Sequence, residues 1–380
     1  MATVLFNYVI GDLTIGKPES KEFPASATLE TAIAALADST ECGLPIWKPK
    51  TQSGPEDADT RQRRFVGILY SIDLVTFLAK PESLENRTAA LNAAVSAVVS
   101  PDNSLLRQVE PATRVIDALE MMKQGVRRLL VPKQGVWQGL TKRFSVLYNG
   151  RWINNGVKRV SSSGSEEFCC LSREDMIRFL IGCLGALAPI PLSPITSLGA
   201  ISSDFGVVDS FDSAMEAIGR FGDAIAVVEE GEDGRERVIG EISAYKLWKQ
   251  DYLSVSEALA RVSAGEFVMG VDDMTAAKAI PDVSPADSSD GSEAPGSSRL
   301  KRFSSRSMGF RPGSSRWGSF KSRSAPLMCR PTSSLAAVMA QMISHRASHV
   351  WVTEDDSGVL VGVVGYSHVF NAITSKPSGC

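Results

Sequence analysis

The side chains best suited to nucleophilic or metal chemistry are few in this chain of 380 residues. There are three histidines, His345, His349 and His368, and six cysteines, at 42, 169, 170, 183, 329 and 380. No two cysteines form C-x-x-C, and no stretch offers the roughly four clustered Cys and His ligands of a structural zinc site. Cys169 and Cys170 sit together in an apolar run, where a thiol packs as core. A nucleophilic cysteine needs a base and an electropositive, accessible setting, and no histidine is near them in sequence. Catalysis is not expected. A different chemistry is written between Arg299 and Ser324. Arg302, Arg311 and Arg316 each stand three residues before a serine (Ser305, Ser314 and Ser319), a spacing that basophilic kinases read.

The elements that would position any site follow one grammar, repeated four times. An amphipathic helical stretch leads to a short apolar strand, then a loop, a second apolar strand and a closing helix. The first copy has Leu29, Ile33 and Leu36 on one helix face. Leu44–Trp47 and Phe65–Tyr70 read as its strands and Asp73–Leu78 as its closing helix. The second has Pro111, Val115, Leu119 and Met122, then Arg128–Val131, Phe168–Leu171 and Asp175–Leu180. The third has Met215, Ile218 and Phe221 behind a Ser213-x-x-Glu216 capping pattern, then Ala224–Val228, Val238–Ile242 and Tyr245–Trp248. The fourth has Pro331, Leu335, Met339 and Met342, then His349–Val352, Leu360–Val364 and a helix opening at His368. Continuous apolar strands imply burial on both faces, hence mixed α/β layers.

Insertions interrupt this pattern. Residues 133–167 interleave Trp137, Phe144, Tyr148 and Trp152 with basic residues. Asn154-Asn155-Gly156 there reads as a hairpin turn. Aromatics among bases could grip a single strand of nucleic acid. More often such residues simply pack a surface hairpin, and nucleic acid is not an expected partner. Residues 282–326 differ in kind. Ser, Gly and Pro make up 22 of the 41 residues from Ser284 to Ser324, a composition that implies disorder. Arg299 to Ser324 holds eight bases and no acid; the remainder has 32 bases against 43 acids. The whole chain is near neutral at −3, so a polybasic nucleic-acid binder is excluded and an acidic fold carries a basic segment. The longest nearly apolar run, Phe179 to Leu192, is 14 residues with two prolines, too short to span a membrane. The beginning of the chain lacks the marks of a secretory or transit peptide. With its sparse cysteines, this points to the cytoplasm or nucleus.

The four copies resemble cystathionine-β-synthase (CBS) motifs over nearly the whole chain outside the insertions. Within that family the chain is most similar to plant proteins of the CBSX class, distant relatives of the γ subunit of AMP-activated kinase. The likeness to that subunit's first repeat rests on Leu29–Leu36, Leu44–Trp47 and Phe65–Leu69. It implies two tandem Bateman modules, with motif 1 in residues 1–80, motif 2 in 95–182, motif 3 in 195–250 and motif 4 in 266–375. It also implies a non-catalytic regulatory or energy-sensing role. The cleft between paired motifs would hold AMP, ADP, ATP or S-adenosylmethionine, and a protein kinase complex would be a partner.

The family signature is a hydroxyl residue at the end of the second strand and an Asp three residues later, where a carboxylate can accept from both ribose hydroxyls. Carried over, it is complete in motif 2, with Ser172 and Asp175. It is half kept in motif 1, with Asp73 after Tyr70, and lost in motif 3 (Ser243, Lys246) and motif 4 (Gly365, His368). Arg128, with Arg127 before it, stands where the family binds phosphate. Asp73 and Asp175 are equally suited to capping the helices they open, and Arg127 and Arg128 to being solvated strand-edge charges. The alternative is therefore an interaction scaffold without a nucleotide, controlled by phosphorylation. Lys321–Pro326 resembles a 14-3-3 docking peptide, which would make a 14-3-3 protein a partner. Phosphopeptide mapping of the native protein is expected to find phosphate on at least one of Ser305, Ser314, Ser319 or Ser324. Deep coverage of this segment without a modified serine would remove the phosphorylation reading.

Overall fold

The structure, a computed structural model, describes residues 4–20, 22–49, 64–133, 147–148, 151–152, 167–221, 224–269, 325–354 and 358–375. Ser305, Ser314, Ser319 and Ser324, and most of the insertions 133–167 and 282–326, lie outside the described residues.

Among those residues the repeated grammar becomes four units of like topology. The first has strands β1 (Phe23–Pro24), β2 (Gly43–Trp47) and β3 (Phe65–Tyr70), with helices Leu29–Asp38 and Ser71–Leu78. The second has β4 (Leu106–Gln108), β5 (Arg128–Lys133) and, beyond the small hairpin β6 (Leu147–Tyr148) and β7 (Arg151–Trp152), β8 (Glu167–Ser172). Its helices are Val115–Lys123 and Arg173–Gly182. The third has β9 (Gly206–Asp209), β10 (Ala224–Glu230) and β11 (Glu236–Ser243), with helices Ala214–Phe221 and Ala244–Leu247. The fourth has β12 (Met328–Cys329), β13 (His349–Glu354) and β14 (Val359–Gly365), with helices Leu335–His345 and Tyr366–Thr374.

In each unit the short strand pairs parallel with the first long strand, which pairs antiparallel with the second. A parallel pair requires a crossover, and the unit's first helix supplies it. Side chains at the helix starts satisfy exposed amides: Thr28 accepts from Thr31 N, Ser334 from Ala337 N, and Ser213 from Glu216 N, as the capping pattern requires. The short strands were invisible in the sequence because two to four residues carry no periodicity. The insertion 133–167 of the second unit holds a small hairpin that the sequence did not mark. Leu147 pairs with Trp152 and Tyr148 with Arg151; Asn154-Asn155-Gly156 lies outside the described residues.

Two kinds of burial join the units. Sheets of the first and second meet through Trp47, Phe65, Ile68, Leu106, Leu130 and Phe168. Those of the third and fourth meet through Ala226, Val228, Val238, Trp351 and Val363 and join edge to edge at Arg237 and Val359. Helices make the other contacts. Leu36, Leu74 and Val75 of the first unit share a core with Ile218, Val255 and Leu259. Leu119, Met122 and Leu180 of the second share one with Leu335, Met339 and Phe370 of the fourth. Every unit therefore touches two others, which closes a ring. Residues 4–20 lie on the second unit, although they precede the first: Leu5 and Ile10 enter its core, and Ile10 N donates to Thr113 O at 2.8 Å.

The glycine inside the second long strand has a steric reason. A methyl on Gly362 would stand 2.7 Å from Ser202 O, and one on Gly67 2.8 Å from Ser100 O. In both places the segment leading to the next strand crosses the sheet against the glycine, and Ser202 N donates to Val363 O at 2.9 Å. A backbone carbonyl held by such bonds cannot move aside. Gly362→Ala is expected to cost about 1–3 kcal/mol, read as a lower urea midpoint. Gly185→Ala, with nothing within 4 Å of the added carbon, should not lower it. Equal midpoints for the two variants would contradict this account of the repeated glycine.

Candidate functional site

Antiparallel pairing places the start of each first long strand beside the end of the second. Gly43 is opposite Tyr70, Arg128 opposite Ser172, Ala224 opposite Ser243 and His349 opposite Gly365. All four of these strand ends open onto one cavity of about 800 Å³ where the units meet. The sequence singled out equivalent positions in separate repeats; the ring brings them to a common centre.

Arg127, Arg128, Arg173 and Arg346 all line the cavity. Arg128 is only 6% exposed and its Nη1 meets the carboxylate of Glu41 from the first unit. The Arg127 guanidinium lies 5.3 Å from the centre of the Tyr70 ring, a cation–π distance. Arg173 donates to Met122 O at 2.7 Å and Val126 O at 3.1 Å, closing the end of the helix Val115–Lys123. Arg346, which ends its helix in the left-handed region at φ 55°, donates to Thr40 O and lies 5.7 Å from the Trp248 ring.

The third and fourth units contribute an aromatic wall that includes Phe205, Tyr245, Trp351 and Tyr366. Glu241 is held behind it at 2% exposure. Its carboxylate accepts from Trp351 Nε1 at 2.9 Å and Ser243 Oγ at 2.8 Å, and lies 3.7 Å from His349 Nε2. Burial alone would raise its pKa, but His349, Lys246 and Ser243 outweigh burial and bring it down to about 2, so it is an anion at neutral pH. Arg128 Nε, Tyr245 Oη and His349 Nε2 are buried with no hydrogen-bond partner among the described residues, and their residues all line the cavity. Buried polar atoms without partners are uncommon; these three belong to the second, third and fourth units, and Tyr245 and His349 also interact with the Glu241 carboxylate behind them.

The four predicted site residues divide into two pairs. Ser172 and Arg128 line the cavity; Asp73 and Asp175 are not part of its wall. Both aspartates occupy the third position of the helix after the second long strand. There Asp73 Oδ2 accepts from Tyr70 N and Asp175 Oδ2 from Ser172 N, each at 2.7 Å. In the fourth unit His368 does the same work, its Nδ1 accepting from Gly365 N at 2.9 Å. That bond puts the proton of the neutral ring on Nε2. Burial lowers the His368 pKa, against a smaller pull from Asp204, and favours this neutral form. Lys246 cannot accept; it donates to Ala325 O at 2.6 Å instead, and its helix is four residues long.

Asp175 has a second partner that no local pattern marks. Lys17, 9% exposed, reaches from the N-terminal segment to its Oδ2 and also donates to Cys170 O at 3.0 Å. The carboxylate that the resemblance assigns to ribose is thus satisfied within the chain. Glu41 escaped notice for a similar reason: its partner, Arg128, comes from another unit. The Cys42 and Cys170 thiols are neutral. Burial, the larger effect, pushes Cys42 up to about 11 and Cys170 to about 12 despite the nearby Arg128. Among the described residues no group of His, Cys, Asp and Glu could hold a metal ion, and no helix is long and apolar enough to cross a membrane.

A CBS domain model matches residues 319–375. The chain is 51% identical to the CBS domain-containing protein CBSX6 of Arabidopsis thaliana, over 100% of this chain and 96% of that protein. It is 23% identical to the Arabidopsis SNF1-related protein kinase regulatory subunit gamma-like PV42b, over 98% and 96%. The structure of the Methanocaldococcus jannaschii protein MJ1225, described as a candidate archaeal homolog of g-AMPK, superposes with a TM-score of 0.54 at 12% identity, over 95% of this chain and 98% of that one. The chain belongs to the CBS domain-containing protein family.

Removing one partner of a buried pair leaves the other charge uncompensated. Lys17→Met is therefore expected to cost about 3 kcal/mol in chemical denaturation, and Asp175→Asn added to it should restore part of that loss. Strictly additive losses would show that the two side chains do not interact.

Proposed function

We propose that this protein is a non-catalytic regulatory member of its family, with four CBS motifs in two Bateman modules, and that it binds an adenosine nucleotide in the central cavity. Four arginines lining one cavity together with Ser172 are the observation that carries this reading. Guanidinium forks match phosphate oxygens in pairs, and the aromatic residues of the lining offer a base a surface to stack on. Arg128 and Ser172 keep the roles the resemblance gives them. Asp73 and Asp175 serve the helices they open, with Lys17 as the second partner of Asp175. The gamma-like relative supports a kinase complex as the partner on which the nucleotide signal acts.

A second reading has its own support. Lys17 on Asp175 and Glu41 on Arg128 cancel charge that a nucleotide would otherwise meet, as in a scaffold whose clefts are structural seams. Control would then lie with phosphorylation of Ser305, Ser314, Ser319 or Ser324 and a 14-3-3 partner.

Calorimetric titration with AMP, ADP, ATP and S-adenosylmethionine separates these readings. The first predicts micromolar binding of at least one nucleotide, weakened about tenfold or more by Arg127→Ala through loss of a charge-assisted contact, and retained in a folded Asp175→Asn variant. Binding lost in Asp175→Asn but kept in Arg127→Ala would place the nucleotide in the second motif's cleft. No heat with any of the four, from folded protein, would favour the scaffold.

A further inference from the structure

The cavity carries its own anion. Glu41, from the turn before β2, lines the wall and meets Arg128 across the boundary between the first and second units. The Glu41 side chain is 29% exposed and that of Arg128 is 8% exposed, so the guanidinium is the deeper partner. Any phosphate that reaches Arg128 must displace this carboxylate or share the guanidinium with it. Displacement leaves a carboxylate without its cation in a poorly solvated place, which is costly. Sharing sets two anions side by side, and like charges brought together oppose binding.

The rest of the wall sharpens the restriction. Glu174 and Asp204 also line it, Glu174 with Arg178 as its own partner, so four arginines and three carboxylates share the lining. Glu241, an anion at neutral pH, lies directly behind His349 and Trp351. The cavity therefore has the donors to orient a phosphate but little positive charge left over to neutralise several.

We propose that Glu41 determines the ligand's charge: it stands as the internal counter-ion of Arg128, so that the cavity takes a nucleoside monophosphate and discriminates against the triphosphate. This rests on the nucleotide reading above and adds the residue that sets its selectivity. Glu41 is a specificity-determining residue in this account, acting on the ligand through Arg128 and through its own charge.

The test is calorimetric titration of the full chain with AMP and with ATP, both in EDTA so that no metal ion masks the phosphates. It is run on the natural protein and on Glu41→Gln and Glu41→Asp. The natural protein and Glu41→Asp are expected to bind AMP about tenfold or more tighter than ATP. Glu41→Gln should gain about tenfold in ATP affinity, with AMP changing less, so that the ratio collapses. If Glu41→Gln does not fold, the ratio in the natural protein decides by itself. ATP bound as tightly as AMP by the natural protein overturns the proposal, as does an unchanged ratio in folded Glu41→Gln; both leave the nucleotide reading standing. Absence of AMP and ATP binding in both folded proteins overturns the nucleotide reading and this inference with it.

Discussion

The contact between Arg128 and Glu41 sets the terms for the centre of the molecule. A guanidinium does not shed its proton inside a protein, so a buried one must be given a counter-charge or hydrogen-bond acceptors. Arg128 begins β5, and its pairing with Ser172 in β8 fixes the strand end that faces the cavity. Glu41 comes from another unit, so the two charges meet only once the first and second sheets have packed through Trp47, Phe65 and Leu130. Hydrophobic burial builds the ring and the ion pair is a consequence of it. That pair then decides which further anion the centre will accept.

The turn from the second long strand into the following helix shows how one position can carry two meanings. A helix start leaves amides unsatisfied, and the acceptor three residues on answers that need in Asp73, Asp175 and His368. The same position carries the ribose carboxylate in the family's signature. In this chain the capping role persists in three units, whether the side chain is a carboxylate or an imidazole. The third unit, with Lys246 there, has a short helix and uses its ammonium on Ala325 O. Retention of an aspartate is therefore weak evidence of ligand binding, because the fold alone gives a reason to keep it.

Much of the fold was legible. The long strands lie where the apolar runs placed them, β3 unchanged and the ends of the others extended by at most two residues, because strand burial on both faces leaves a strong sequence trace. Helix periodicity found the crossover helices for the same reason. The short strands, the helices Tyr252–Arg261 and Ala264–Met269, and the association of residues 4–20 with the second unit were not legible. Each depends on contacts between segments distant in sequence. Gly265 N, for example, donates to Ser210 O, and the resulting helix packs on β11 beyond the boundary expected for the third motif. The site was half legible. Arg128 and Ser172 were identifiable from their place in a repeat. Lys17, Glu41, Arg346 and Glu241 act through partners in other units, so no local pattern could have named them.

The most direct test of the central claim is a crystal structure of the protein grown with AMP. The account predicts density for the nucleotide in the cavity between the four units, with its phosphate against the Arg127 and Arg128 guanidinium groups and with Lys17 still on Asp175. AMP found instead with its ribose on Asp175 and Lys17 displaced would contradict it. The second motif's cleft would then be the binding site, and the arginine-lined centre a structural feature of the ring.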